Sequence, residues 1–271
     1  MIPTTSDGKH LFGWIKDPYK STDFVIRSAK RPGDIPKTSL MMDIIPAVWD
    51  QSQQGSCTGQ GIGGILTGSA IQLGYMKEAK FNPTIRFSPR WLYYLGRKAI
   101  NTVYEDSGAY ARDIFDAVLK VGCALEEDWP YPPPPSIFEP AYALPPASCV
   151  KSASEHLILV SFVRVVDGVD GICTALGNGK LVTLGAPWFA KWENPGPEGK
   201  LATIKCWDAV AGGHQTFLYG HTYFQEVFYL QNSWGNQWAN HGRCTLPFSV
   251  INQFKKKGGY DAHTVTIKWI V

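Results

Sequence analysis

A chain of 271 residues that is 44% apolar and 18% charged can bury a full core and is not a disordered polypeptide. A net charge of +3 without a Lys/Arg cluster excludes the basic balance of a nucleic-acid binder, and Lys255-Lys256-Lys257 before Gly258-Gly259 reads as a surface turn. No stretch approaches the ~20 apolar residues of a membrane span. The opening Met-Ile-Pro-Thr-Thr-Ser-Asp lacks a charged segment followed by an apolar one, so a chain without a secretory signal, in the cytoplasm, is expected.

Residues 1–44 carry few helix or strand signals and read as an extended arm packed on the surface; a small self-inhibiting arm is the alternative. Leu40 to Val48 is apolar and punctuated by Pro. Cys57 opens a segment containing Gly59, Gly61, Gly63, Gly64 and Gly68. Interior glycine costs a helix about 1 kcal/mol each against Ala, so a helix here must be held by burial, with other backbone approaching closely. Gly59 to Gly64 also satisfies Gly-x-Gly-x-x-Gly. It lacks a preceding buried strand and a well-placed acidic residue, so a dinucleotide site is not expected. Ser88-Pro89 starts a helix with Trp91, Leu92, Tyr94, Leu95 and Ala99 at helical spacing. Ser107-Gly108-Ala109-Tyr110 leads into a second amphipathic helix with Ile114, Phe115, Val118 and Leu119, ended by Gly122.

Tyr131 to Pro146 is Pro-rich and reads as a crossing. Beyond it the period becomes two. His156 to Val166, Lys180 to Gly185, Thr216 to Tyr219, Glu226 to Gln231 and His263 to Ile270 read as strands, with a surface loop at Pro195 to Lys200. Ten Trp residues are expected to line core and cleft.

The chemistry concentrates in three places. Gln51 lies six residues before the lone Cys57; Gly212-Gly213-His214 and Gln231-Asn232-Ser233-Trp234-Gly235 follow much later. A thiol becomes a strong nucleophile as thiolate, which a neighbouring imidazole and a helix N-terminus both favour. This ordered set resembles the machinery of papain-like cysteine peptidases, a resemblance that covers about residues 45–271. It implies an α+β, two-lobe fold: a mainly helical lobe (45–131), a crossing (132–148) and a mainly antiparallel, barrel-like β lobe (149–271), with the active site in the cleft between. It further implies Cys57 as nucleophile, His214 as base, Asn232 orienting the imidazole under Trp234, and Gln51 with the Cys57 N–H as oxyanion hole. Ser107, Gly108 and Tyr110 match the edge that pairs with substrate near the second subsite, and Gly213 and Trp234 flank the base.

Gly13-Trp14-Ile15-Lys16-Asp17-Pro18 resembles the Gly-Trp-x-x-Asp-x-x-Asp opening of bacterial and viral members, and the segment of residues 1–44 is too short and too rich in Pro and Gly for a helical propeptide. Thr58 stands where most members have Trp, and Gln54 where secreted members have a disulfide Cys, which favours a reduced setting. His221, after Gly220 at a strand end, is the competitor for the base and is expected to face solvent. No cofactor or metal is implied: no Cys-x-x-Cys pair occurs among Cys57, Cys123, Cys149, Cys173, Cys206 and Cys244, and His241 with Cys244 is too small a set. The expected partner is an extended polypeptide substrate, not nucleic acid or membrane. The rival readings are a catalytically silent component of a larger, possibly viral, assembly and amide transfer by the same residues.

Overall fold

A computed structural model describes residues 4–28, 32–156 and 158–268. Parts of the expected arm (1–3 and 29–31), position 157 of one expected strand and positions 269–270 of another lie outside them. In chain order the elements are β1 (Trp14–Ile15), β2 (Val25–Ile26), β3 (Thr38–Leu40), α1 (Cys57–Gln72), α2 (Pro89–Ala99), β4 (Ala109–Tyr110), α3 (Ala111–Val121), α4 (Ala147–Glu155), β5 (Leu159–Val165), α5 (Gly168–Gly177), β6 (Val182–Phe189), β7 (Val210–Thr222), β8 (Val227–Gln231), β9 (Arg243–Pro247), α6 (Phe248–Phe254) and β10 (Asp261–Ile267).

The glycine-rich α1 forms because it is walled in on every side. A methyl group on Gly59 would meet the Pro89 carbonyl oxygen at 2.5 Å, one on Gly64 the Phe217 ring at 2.5 Å, and one on Gly68 the Leu181 side chain at 2.3 Å. Helix propensity is sacrificed for close packing against α2 on one face and the sheet on the other. Ser88 caps α2, its hydroxyl accepting the Trp91 N–H at 3.2 Å. Gly122, at φ +79°, ends α3.

The main sheet has the order β2-β5-β10-β6-β7-β8-β9, with β3 added on β7. It is antiparallel except where β2 joins β5, and its first and last strands do not pair. Two apolar cores flank the junction. One is built on α1, α2 and α3. The other lies on the β side and gathers Trp188, Trp192, Trp234 and Trp238. Short helices α4, α5 and α6 interrupt the β half where period-two patterning gave no sign of them. Ala147–Glu155 begins inside the expected crossing, just after its last prolines.

The middle of the expected arm is not laid on the surface. Phe12 is 2% exposed and Asp17 3%, and β1 pairs in parallel with β4, Trp14 opposite Ala109 and Ile15 opposite Tyr110. The expected surface arm is therefore corrected: its middle threads through the groove between the two halves. The reason is chemical. Aromatic-Gly-aromatic at Phe12-Gly13-Trp14 offers two rings for burial and a bare backbone between them.

Candidate active site

Cys57 begins α1, fully buried, and its sulfur accepts the Gly13 N–H at 3.3 Å. The Gln215 and Thr58 backbones also hydrogen-bond to it, which sets β7 beside the helix start. On β7, His214 precedes that contact. Its Nε2 lies 2.7 Å from Asn232 Oδ1, which can only accept, so the proton sits on Nε2. Nδ1 is then the basic nitrogen, buried and without a hydrogen-bond partner among the described residues. Trp234 covers the pair, 4.7 Å from the His214 ring, and Trp188 packs edge-on beside it, 4.9 Å from His214 and 5.5 Å from Trp234. Both rings exclude water from the His–Asn bond.

Gln51 ties the two halves together. Its N–H donates to Ser233 O at 2.8 Å, and its Oε1 accepts the Ser233 hydroxyl at 2.7 Å. With Oε1 so fixed, Nε2 is aimed at the groove, where it donates to the Leu11 carbonyl at 2.7 Å and to the Gln54 carbonyl at 2.9 Å. The structure thus gathers Gln51, Cys57, His214, Asn232 and Trp234 around one point, and that point is occupied by the chain's own residues 11–13.

The remaining sequence-derived positions all touch this arm or support it. A methyl group on Gly213 would lie 2.3 Å from the Trp14 carbonyl oxygen, and one on Gly212 2.4 Å from the Phe12 ring. Gly108, at φ +77°, passes equally close to the Gly13 carbonyl. Ser107 is one step removed: its hydroxyl contacts Thr102 at 2.6 Å and the Gly108 carbonyl. The ladder bond itself comes from a residue the sequence reading passed over. Ala109 N–H donates to Gly13 O at 2.9 Å, with Tyr110 opposite Ile15. The aromatics flanking Gly13 and the bare Gly212-Gly213 pair were the available signal for this match.

His221 is not a rival. It is buried, not solvent-facing, and its Nε2 sits 2.8 Å from the Pro36 carbonyl, where it joins β7 to the arm's end. All six cysteines are free, and no group of three or more metal-ligating side chains occurs among the described residues.

Electrostatically this closed site is silent. Burial pushes the Cys57 thiol up to about 11, against weaker help from the Gln215 and Gly13 backbones. Burial also holds His214 down to about 3, although Asn232 favours its charged form. The thiolate–imidazolium pair expected from the residue types is therefore not the resting state, because the arm removes the water both ions need.

Past Trp14 the arm is tethered by charge. Asp17 N–H donates to Asp261 Oδ2 at 2.7 Å, Arg112 N–H donates to Asp17 Oδ1 at 3.2 Å, and His263 Nε2 lies 3.5 Å from Asp17 Oδ2. Burial, then the Asp261 charge, raises Asp17 to about 7, while burial and two nearby arginines hold His263 down to about 3. Asp23 takes both Arg112 guanidinium nitrogens and approaches Arg164, which also reaches Asp261.

No family model matches the chain. Over 264 residues it is 26% identical to an uncharacterized peptidase C1-like protein of Acanthamoeba polyphaga mimivirus, covering 91% of this chain and 84% of that one. Its structure is similar to xylellain, a cysteine protease from Xylella fastidiosa, with a TM-score of 0.81 and 23% identity over 99% of this chain and 98% of the other. It is also similar to a procathepsin B from Trypanosoma congolense, with a TM-score of 0.70 and 12% identity over 95% and 87%. The fold is that of the papain-like cysteine peptidases. The sequence likeness to a peptidase C1-like protein agrees with that fold.

Proposed function

We propose that the chain is a cysteine endopeptidase that cleaves extended polypeptides through an acyl-enzyme and is held closed by its own residues 4–17. The supporting observation is the arm itself. A polypeptide main chain lies through the groove with one carbonyl on the Gln51 amide, one N–H on the Cys57 sulfur and one carbonyl on the Ala109 N–H. The groove accepts main chain, and the chemical groups line it at the points where a peptide bond would be attacked.

Once the arm withdraws, water enters and the burial that keeps Cys57 and His214 neutral is relieved. Cys57 then gives its proton to His214 Nδ1, and the α1 N-terminus favours the thiolate. The thiolate attacks the scissile carbonyl, and the oxyanion is received by Gln51 Nε2 and the Cys57 N–H, donors of a kind that each contribute about 3 kcal/mol. His214 passes its proton to the leaving amine as the C–N bond breaks. It next takes a proton from water, which attacks the thioester and frees the acid and the thiol. Asn232 keeps Nδ1 in the role of base throughout by holding the proton on Nε2.

A peptidyl activated ketone tests this on a full-length Gly13→Val variant, whose side chain cannot fit 1.7 Å from the Gly55 carbonyl oxygen. Labelling at Cys57 is expected, with turnover of peptide libraries lost in Cys57→Ala by about a thousandfold or more. Labelling at another cysteine, or turnover that survives Cys57→Ala, overturns the proposal. A silent assembly component draws no separate support, since α1 owes its glycines to packing and all four chemical groups are intact.

A further inference from the structure

The arm also shows what the far end of the groove accepts. Its residue His10 lies flat on Trp234, with ring centres 5.2 Å apart and planes 7° from parallel, and its Nδ1 is 3.7 Å from Asp50 Oδ1. Around it is a cavity of about 570 Å³. The charged residues that the body of the protein contributes to that cavity are Asp50 and Glu193, both acidic. In the closed chain each carboxylate is answered by the arm, Asp50 by His10 and Glu193 by the Ser6 N–H at 2.7 Å. When the arm leaves, an indole face and two carboxylates are uncovered, Asp50 keeping only its local bond from the Ser52 N–H.

Resting on the peptidase reading, the position of this cavity follows from the proton path. His214 delivers its proton to the leaving amine, and Trp234 is the ring that covers His214. The substrate residue just after the scissile bond therefore lies over Trp234, the place His10 now fills from the opposite chain direction, since the arm runs from Trp234 toward β4 with its Leu11 carbonyl on Gln51 and a substrate runs from β4 toward Trp234. We infer that Asp50 and Trp234 form a leaving-side subsite for a planar cation, so that the enzyme selects polypeptides with arginine, and next histidine, immediately after the cleaved bond. A guanidinium stacks on indole and pairs with a carboxylate in the same plane, which neither a lysine ammonium nor an aliphatic chain does. Burial holds the His10 imidazole below its ordinary value against the pull of Asp50, so in the arm histidine fills the subsite without using its charge fully. That makes it a weaker occupant than arginine, as suits a segment that must come out.

The arm serves as a tethered probe of the subsite in the intact protein. Cys57 alkylation by iodoacetamide, followed site by site by mass spectrometry, reports how often the arm opens and requires no catalysis. His10→Arg is expected to slow it, and His10→Leu to speed it, with about a tenfold spread between them. In an Asp50→Asn background the spread should shrink to within about twofold. Asn retains the oxygen that accepts the Ser52 N–H at 2.7 Å, so the local turn is kept. Equal rates for the two His10 variants, or a spread that Asp50→Asn leaves intact, overturn the inference. A parallel measurement uses Gly13→Val with quenched peptides that differ only after the cleaved bond. Cleavage that favours arginine over leucine and glutamate by about tenfold in kcat/KM, a preference lost with Asp50→Asn, supports it, and indifferent cleavage overturns it. If the alkylation spread is found but no peptide is cut, the subsite stands and the peptidase reading is what fails.

Discussion

The two ends of the arm hold the groove shut by different means. Phe12 to Asp17 buries Phe12, Gly13 and Asp17, pairs its backbone with β4 and ends in a cluster of Asp17, Asp261, His263 and two arginines. Thr4 to His10 lies in a small turn, Thr5 N–H to His10 O at 2.8 Å, held to the body by the His10 ring on Trp234 and one exposed hydrogen bond to Glu193. Buried polar groups are costly to leave unpaired, whereas exposed ion pairs contribute at most about 1 kcal/mol. The arm should therefore peel from the leaving-group end and stay hinged at Asp17. Closure is local, and the deep end sets its strength.

The largest expected effect strikes the deep end. Gly13→Val should raise the rate of Cys57 alkylation in the full chain by about a hundredfold, because no side chain fits between Gly55 and Gly108 and several kcal/mol of closure are lost. An unchanged rate would mean that the groove does not close on this segment. The same variant should shift the thiol's titration. Burial in the closed chain holds Cys57 at about 11. This raised value means that closure is undiminished below the free thiol's ~8.5 and is lost as pH rises toward about 11. Ultraviolet thiolate absorbance should accordingly appear only at alkaline pH in the parent and near or below neutral pH in Gly13→Val.

A smaller effect is expected from the hinge. Asp17→Ala leaves the buried Arg112 N–H without its acceptor and should speed alkylation by about five- to thirtyfold. Asp17→Asn keeps the acceptor and isolates the charge. The Asp17 carboxyl is raised to about 7 in the closed chain, so its contribution to closure is full below the free value of ~3.9 and is lost as pH rises through about 7. The ratio of parent to Asp17→Asn alkylation rates should thus climb between about pH 4 and 7. A flat ratio would place the arm's restraint elsewhere. The smallest effect belongs to the shallow end: Glu193→Gln should change the rate by no more than about threefold, since only one exposed hydrogen bond is altered. A larger change would reverse the ranking of the two ends.

How much was legible beforehand varies along the chain. The gathering of Cys57, His214, Asn232 and Gln51 could be anticipated because each carries its own local context, and α2 and α3 because cap, spacing and terminal glycine agree. Short α4, α5 and α6 could not, since helices of ten residues or fewer inside a β half leave little periodic pattern to find. Ala109 was missed because a backbone donor has no side-chain signature. Asp50 carries no sequence signal of its own, and only the tertiary contact with His10 marks it.

The amino-acid order by itself determined which chemical groups are present, the two-part α+β plan and the need to bury a helix made largely of glycine, for these depend on residue type and on neighbours within a few positions. Only the tertiary structure decided that residues 11–13 lie on Gln51 and Cys57, that the thiol and imidazole rest uncharged, and that Asp50 lies beside His10 in a cavity of the groove. Those properties come from groups forty to two hundred residues apart meeting in a site without water, and burial of that kind is set by the whole fold rather than by any one stretch of it.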